Sequence, residues 1–276
     1  MEKLFEARFV EESEYNSLKE LFTLCFEDSI EAVNAFFEKT VSPERVVAIF
    51  DGNKAISSLY LLESDILIDG VSHNAYYVYG VCTHPDYRNK GLMKKLFHFT
   101  EKLVKERNID YLFLVPAEEY LFDVYSKFGF KKGIYYKEET VSAPTTSGSA
   151  SFCENVSFDS YKAFCLERSK NGVNIASLKE STFKSFFTSC NGEATAIQTE
   201  KGYCVFENND GKVTVFEIYG DEKELLNIVF EKTKVTSLVC RFPADDINNS
   251  KAYGMYKPFG ASPEIENAFF GIPYST

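Results

Sequence analysis

Between Gly80 and Phe97 the chain reads GVCTHPDYRNKGLMKKLF. Arg88, Asn89, Lys90 and Gly91 place two cations, a small polar residue and a glycine directly before a stretch with helical apolar spacing. A helix start leaves backbone N–H groups without intrahelical partners and carries a partial positive charge. Because glycine has no Cβ, an anion can approach its backbone closely, and flanking cations add to the attraction. The segment therefore reads as a cradle for a diphosphate, with Pro85 stiffening its entrance. It is neither the Gly-x-Gly-x-x-Gly of a dinucleotide fold nor the Gly-Lys-Ser/Thr of a P-loop.

Other reactive side chains are scattered. The seven cysteines, Cys25, Cys82, Cys153, Cys165, Cys190, Cys204 and Cys240, form no Cys-x-x-Cys pair. Their odd number fits reduced, mostly buried thiols in a cytoplasmic protein. His73, His84 and His98 do not cluster with them at ligand spacing, so no metal is expected. His84, before Pro85, reads as a loop residue. The opening MEKLFEARF has no signal-peptide apolar run, and no segment approaches ~18 uninterrupted apolar residues, so no membrane span is expected.

The elements that must hold the cradle follow from periodicity. Leu4 to Val10 reads as a strand, Glu14 to Glu27 and Ile30 to Lys39 as helices. Val46 to Phe50, the turn Asp51-Gly52, and Ala55 to Leu62 read as a hairpin, with a second turn at Asp69-Gly70. Tyr76 to Cys82 is strand-like. Leu92 to Arg107 is amphipathic, with Leu92, Met93, Leu96, Phe97, Leu103 and Val104 inward. Tyr111 to Val115 is a short apolar run suited to a strand buried on both faces. Glu119 to Lys127 is a short helix closed by Gly129, and Ile134 to Thr140 a strand.

The 276 residues suit one large domain or two modest ones. The polar segment VSAPTTSGSAS, Val141 to Ser151, reads as a linker. The expected organisation is residues 1–141, a linker at 142–151, and a second domain at 152–276. In the latter, helices at Tyr161 to Lys170 and Leu178 to Thr188 precede a three-stranded meander, a helix at Glu222 to Lys232 and a strand at Val235 to Arg241. Tyr125 to Gly129, YSKFG, is echoed by Tyr256 to Gly260, YKPFG, which suggests an internal duplication. The fold class is α/β (α+β), a mixed central sheet flanked by helices. A net charge of -11 with no basic face argues against nucleic acid and favours cationic partners such as amines.

Val81, Pro85, Arg88 and Gly91, followed in order by Tyr125, Phe128, Gly129 and Phe130, resemble the GNAT superfamily of N-acetyltransferases over roughly residues 1 to 140. Met93 stands where the family usually has Gly or Ala, which bears on loop packing more than on the site. The second half looks like a degenerate GNAT-like domain: its strand-to-helix region lacks Arg-x-x-Gly and carries Asp221, Glu222 and Glu224, which would repel a diphosphate. The tandem arrangement is similar to the Eis-like (enhanced intracellular survival) branch. Members of that branch commonly carry a further sterol-carrier-like domain, for which 276 residues leave too little room.

The resemblance implies acetyl-CoA as co-substrate, with its diphosphate on Arg88, Asn89, Lys90, Gly91, Leu92 and Met93. Its pantetheine arm would pair with the backbone of Val81, Cys82 and Thr83, where the strand splays from its neighbour; Gly80 is placed for the required bulge. The acceptor would be a primary amine of a small molecule or peptide. An alkyl ammonium with pKa near ~10.4 is neutral in about one molecule in a few thousand at pH 7, so a base must assist. Glu63, Glu118 and Glu119 are candidates, Glu118 at the lip of the slot, and Thr276 is another through the terminal carboxylate. Tyr125 fits the position of the proton donor to the departing thiolate. Cys82 lies near the thioester, though the family transfers directly. Two rival readings are a Fem-like aminoacyl transferase and a non-catalytic acyl-CoA sensor or scaffold. Oligomeric state is left open.

Overall fold

Asp-Gly pairs and long β-branched or aromatic runs organise the first half. The computed structural model of the chain describes residues 5–144, 151–189 and 194–271. In order come β1 (Arg8–Phe9), α1 (Tyr15–Phe26), α2 (Ile30–Lys39), β2 (Val46–Asp51), β3 (Lys54–Ile68) and β4 (Val71–Thr83). Then follow α3 (Leu92–Glu106), β5 (Tyr111–Leu114), α4 (Glu119–Ser126) and β6 (Lys131–Ser142). β1, β2 and β3 pair antiparallel, β2 and β3 joined across the expected turn with Asp51 opposite Lys54. β3 and β4 run longer than expected because the turn between them takes two successive left-handed residues, Asp69 and Gly70, which matches strand twist. β4 and β5 are parallel, with α3 as the crossover.

The remaining elements are β7 (Cys153–Glu154), α5 (Phe158–Ser169), β8 (Val173–Ala176), α6 (Glu180–Ser189), β9 (Ala194–Thr199), β10 (Gly202–Asn209) and β11 (Lys212–Tyr219). They continue with α7 (Glu222–Thr233), β12 (Ser237–Pro243), β13 (Lys251–Pro258) and β14 (Ala268–Phe269). β9, β10 and β11 form the antiparallel meander, and β12 is parallel to β11 after α7. Two helices, an antiparallel meander, a crossover helix and a parallel strand thus occur twice along the chain.

Two compact units result, and neither is continuous in sequence. One contains Met1–Ser64, Asn74–Lys131 and Met255–Glu264; the other contains Asp65–His73, Lys132–Gly254 and Ile265–Thr276. This differs from the consecutive 1–141 and 152–276 division. The reason is strand exchange. β6, which follows α4, pairs antiparallel with β12 from Tyr136 opposite Pro243 to Ser142 opposite Ser237. The place beside β5 is filled instead by β13, with Met255 to Pro258 opposite Leu114 to Tyr111. Of the expected linker, Ser142 ends β6, and residues 145–150 lie outside the described residues.

The sequence echo has a different meaning from the one expected. Tyr125 to Gly129 closes helix α4, whereas Tyr256 to Gly260 ends strand β13. The order of elements repeats, but those two segments are not structural equivalents.

In the second unit, a core of Ile197, Val213, Val215, Leu225, Ile228 and Val229 joins α7 to the meander. Each such buried aliphatic side chain contributes roughly 1.5–3 kcal/mol. Glu217, only 2% exposed, meets Arg168 at 2.9 Å and the Tyr203 hydroxyl at 2.6 Å. Losing either partner would strand a buried charge. Among the described residues, no helix is long and apolar enough to cross a membrane, and no group of three or more His, Cys, Asp or Glu side chains could hold a metal ion.

Candidate active site

Helix α3 buries Leu92, Leu96, Phe97, Leu103 and Val104 at helical spacing, with Met93 half-buried beside them. Its first residue follows Gly91, which sits at φ +70° and provides no side-chain cap. A glycine in place of a capping side chain costs only about a few tenths of a kcal/mol. Five apolar side chains at roughly 1.5–3 kcal/mol each outweigh that easily. The helix therefore forms with its leading amides unclaimed by a capping side chain, and its first turn carries no acid.

The preceding loop is shaped to present those amides. Pro85–Tyr87 is a 3-10 turn, and the Asp86 amide donates to His84 Nδ1 at 3.3 Å, so His84 serves the loop as expected. The Tyr87 hydroxyl donates to Asp51 Oδ2 at 2.8 Å, anchoring the loop to the end of β2. Asn89, like Gly91, is left-handed, at φ +63°. A Cβ at Gly91 would meet nothing within 4 Å, so the space beside the helix start is open. Arg88, Asn89 and Lys90 are exposed around it. Uncapped amides, an open approach and two cations fit the diphosphate of coenzyme A.

The strand that feeds the loop parts from its neighbour. β4 pairs with β5 only at Ala75, Tyr76 and Tyr77, opposite Tyr111, Leu112 and Phe113. Beyond Tyr77 the two strands no longer pair, although β4 continues to Thr83. Gly80 lies in this stretch at φ +57°. A Cβ there would come within 2.9 Å of both Phe22 and Tyr60, so the backbone passes where no side chain fits. The left-handed Gly80 thus lies three residues past the last β4–β5 pair.

Val81, Cys82 and Thr83 are held from the opposite side. Ser57 Oγ donates to the Cys82 carbonyl at 2.8 Å and lies 2.7 Å from Thr83 Oγ1. Arg88 Nε donates to the Thr83 carbonyl at 3.4 Å, which joins this strand end to the loop. Cys82 is buried, with Ser58 Oγ 3.4 Å from its sulfur. Cys25, from the end of α1, donates its thiol to the Thr83 carbonyl at 3.8 Å and interacts electrostatically with the Cys82 side chain. The interaction with Cys82, helped by the Arg88 charge, lowers the Cys25 thiol to about 7, while the same interaction and burial push Cys82 up. The sequence reading missed this pair: 57 residues separate the two cysteines, and neither has a local motif.

Tyr125 projects from α4 and is buried, edge-on to Phe97 at 6.0 Å and Phe130 at 6.1 Å. Burial raises its phenol to about 12, with smaller contributions from Tyr120 and Cys82. The tyrosine is thus within electrostatic reach of Cys82, which lies on β4 beyond its last pair with β5. Glu118 is exposed at the N-cap of α4, and Glu119 opens that helix. Glu63 is half-buried and engaged by Arg45 at 3.0 Å, which sets it apart from a free base. Thr276 lies outside the described residues.

In the second unit the corresponding helix start is closed. Asp221 caps α7, its carboxylate accepting from the Glu224 amide at 3.1 Å, and Glu222 and Glu224 occupy the first turn.

Residues 6–133 match the family model of an acetyltransferase (GNAT) domain. Solved structures share the fold beyond that domain. A GCN5-related N-acetyltransferase from Anabaena variabilis ATCC 29413 superposes with a TM-score of 0.71 at 12% identity, covering 92% of this chain and 72% of its own. Eis1 from Mycobacterium abscessus gives 0.67 at 12%, with 92% and 73% covered. A protein from Pyrococcus horikoshii gives 0.61 at 10%, with 99% and 98% covered. No curated protein matches the sequence. The matched residues contain the loop, the end of the β4–β5 pairing and Tyr125, and the fold is shared with Eis1 over most of this chain.

Proposed function

We propose that the chain is an N-acetyltransferase that uses acetyl-CoA and acts in the cytoplasm on a primary amine of a small molecule or peptide. The observation that carries this reading is the uncapped start of α3 at Gly91, flanked by Arg88 and Lys90, directly after a strand that has parted from its neighbour. Acetyl-CoA supplies the acetyl thioester. Residues Arg88 to Met93 hold its diphosphate, and the backbone of Val81 to Thr83, fixed by Ser57 and Arg88, orients the arm.

Tyr125 holds a proton at its hydroxyl for the leaving sulfur. A phenol raised to about 12 stays neutral throughout the physiological range, so the proton is present when needed. Glu118, exposed at the start of α4, is the candidate to accept the proton of the incoming ammonium. The second unit, with α7 capped by Asp221, acts as a degenerate GNAT-like domain without a cofactor site of its own. The domain division 1–141 and 152–276 is kept as a description of ancestry, with the last strands exchanged.

The test is release of free CoA thiol from acetyl-CoA over a panel of amines: aminoglycosides, polyamines, amino-acid derivatives and peptide N-termini. Amine-dependent thiol release that falls in Tyr125→Phe supports the reading. CoA binding with no release for any amine class favours the sensor alternative.

A further inference from the structure

Cys25 and Cys82 are brought together by the matching periods of a helix and a strand. Phe22 of α1 lies over Gly80 of β4, so closely that a Cβ at Gly80 would come within 2.9 Å of its ring. Cys25 follows Phe22 by three residues, on the same helix face and about 4.5 Å farther along the axis. Cys82 follows Gly80 by two, on the same strand face and about 6.6 Å farther on. The Cys25 thiol reaches the Thr83 carbonyl at 3.8 Å, so the two advances run in the same direction.

The surroundings suit sulfur chemistry. Cys25 is half-buried and Cys82 buried, so the first meets a solute and the second waits behind it. The buried Tyr60 hydroxyl makes no hydrogen bond, and both cysteines lie within its electrostatic reach. An unused hydroxyl beside two thiols can donate to an oxygen carried on sulfur. A Cys25 thiol lowered to about 7 is partly thiolate at neutral pH, the form that attacks an oxidant. Burial pushes the thiols of Cys165, Cys204 and Cys240 up, which keeps them protonated and inert.

We propose that Cys25 and Cys82 form a reversible disulfide on exposure to hydrogen peroxide, and that this bond weakens acetyl-CoA binding. The Cys25 thiolate attacks one peroxide oxygen; the S–O bond forms, the O–O bond breaks and hydroxide leaves. The Cys82 sulfur then attacks the Cys25 sulfur, and the sulfenic hydroxyl departs with the Cys82 proton as water. Two electrons pass from the thiols to peroxide. Once Cys25 carries a sulfenic acid, the interaction that pushes the Cys82 thiol up is gone, which frees Cys82 to attack. The bond draws Cys25 off the Thr83 carbonyl and ties α1 to the strand that orients the pantetheine arm. This effect on binding rests on the acetyl-CoA reading above; the disulfide itself does not.

The test treats the full chain with hydrogen peroxide and maps its peptides by mass spectrometry without reduction. Acetyl-CoA is titrated calorimetrically before and after. A cross-linked pair joining Cys25 to Cys82 is expected, and dithiothreitol is expected to remove it. Oxidation is expected to weaken acetyl-CoA binding about tenfold or more, with recovery on reduction. In Cys25→Ser the affinity is expected to be the same before and after peroxide, and its binding shows that the variant is folded. Peroxide that leaves Cys25 and Cys82 unjoined overturns the disulfide. A cross-link with unchanged affinity, or a loss of affinity that persists in Cys25→Ser, overturns its control of the site. A reduced wild type that binds no acetyl-CoA overturns the acetyl-CoA reading, and the cross-link then decides the disulfide alone.

Discussion

Lys257 Nζ lies 2.6 Å from Glu101 Oε1 on α3, although 156 residues separate the two in sequence. The same ammonium donates to the Phe128 carbonyl at 2.7 Å, just past the end of α4. A strand from the far end of the chain thus fastens α3, the helix proposed to offer the diphosphate site, to the end of the helix that carries Tyr125. Lys257→Met is expected to lower stability by about 1–2 kcal/mol, since charge-assisted bonds at a partly exposed site are being lost. Urea unfolding of the variant and of Glu101→Gln measures this. Unchanged midpoints for both would show that the contact holds nothing together.

Gly80 tests the parted strands. Its left-handed backbone alone costs an L-residue about 1–2 kcal/mol, and a Cβ would press on Phe22 and Tyr60 within 2.9 Å. Gly80→Ala is expected to destabilise by more than 1 kcal/mol and to weaken acetyl-CoA binding, because the bulge must flatten or the aromatic cluster must move. Thermal unfolding together with cofactor titration reads both. A variant as stable as wild type with intact binding would place the bulge outside the site.

Tyr125→Phe keeps the ring packed against Phe97 and Phe130 and removes only the hydroxyl. The turnover rate is expected to fall by roughly 10²-fold or more, with acetyl-CoA affinity unchanged. A stability signature accompanies it. Folding raises the phenol from 10.0 to about 12, so the unfolded chain ionises first as pH climbs. The folded state binds the extra proton in that window, and stability is lost from about pH 10 through about pH 12. The Phe variant is expected to lose less over that range. Parallel alkaline losses in the two proteins would contradict the burial of this hydroxyl.

Cys25 is expected to be alkylated by iodoacetamide with a midpoint near pH 7, because Cys82 and Arg88 stabilise its thiolate. Cys82→Ala, which removes that partner, should move the midpoint upward. Peptide mapping by mass spectrometry at a series of pH values measures it. A midpoint near that of an ordinary thiol, about 8.5, would separate the two cysteines.

What the sequence reveals depends on distance along the chain. The loop from His84 to Gly91 was legible because proline, glycine and helical periodicity act over a few residues. That Gly80 takes a special backbone conformation was legible for the same reason, with the family resemblance pointing to it. The roles of Lys257 and Cys25 were not, because their partners come from strands and helices brought together only by the fold. The exchange of β6 and β13 was hidden for a further reason. Neither β6, KKGIYYKEETVS, nor β13, KAYGMYKP, carries a residue pattern that says which neighbour it takes. The echo between Tyr125 and Tyr256 misled because short aromatic-glycine endings close helices and strands alike.

The central claim is that the amides opening α3 and the cations beside Gly91 grip the diphosphate of acetyl-CoA. Calorimetric titration of the wild type and of Arg88→Ala with acetyl-CoA tests it most directly. Micromolar binding by the wild type, weakened about tenfold or more in Arg88→Ala, is the predicted result. A wild-type chain that takes up no acetyl-CoA, or an Arg88→Ala variant that binds it as well as wild type, would contradict it.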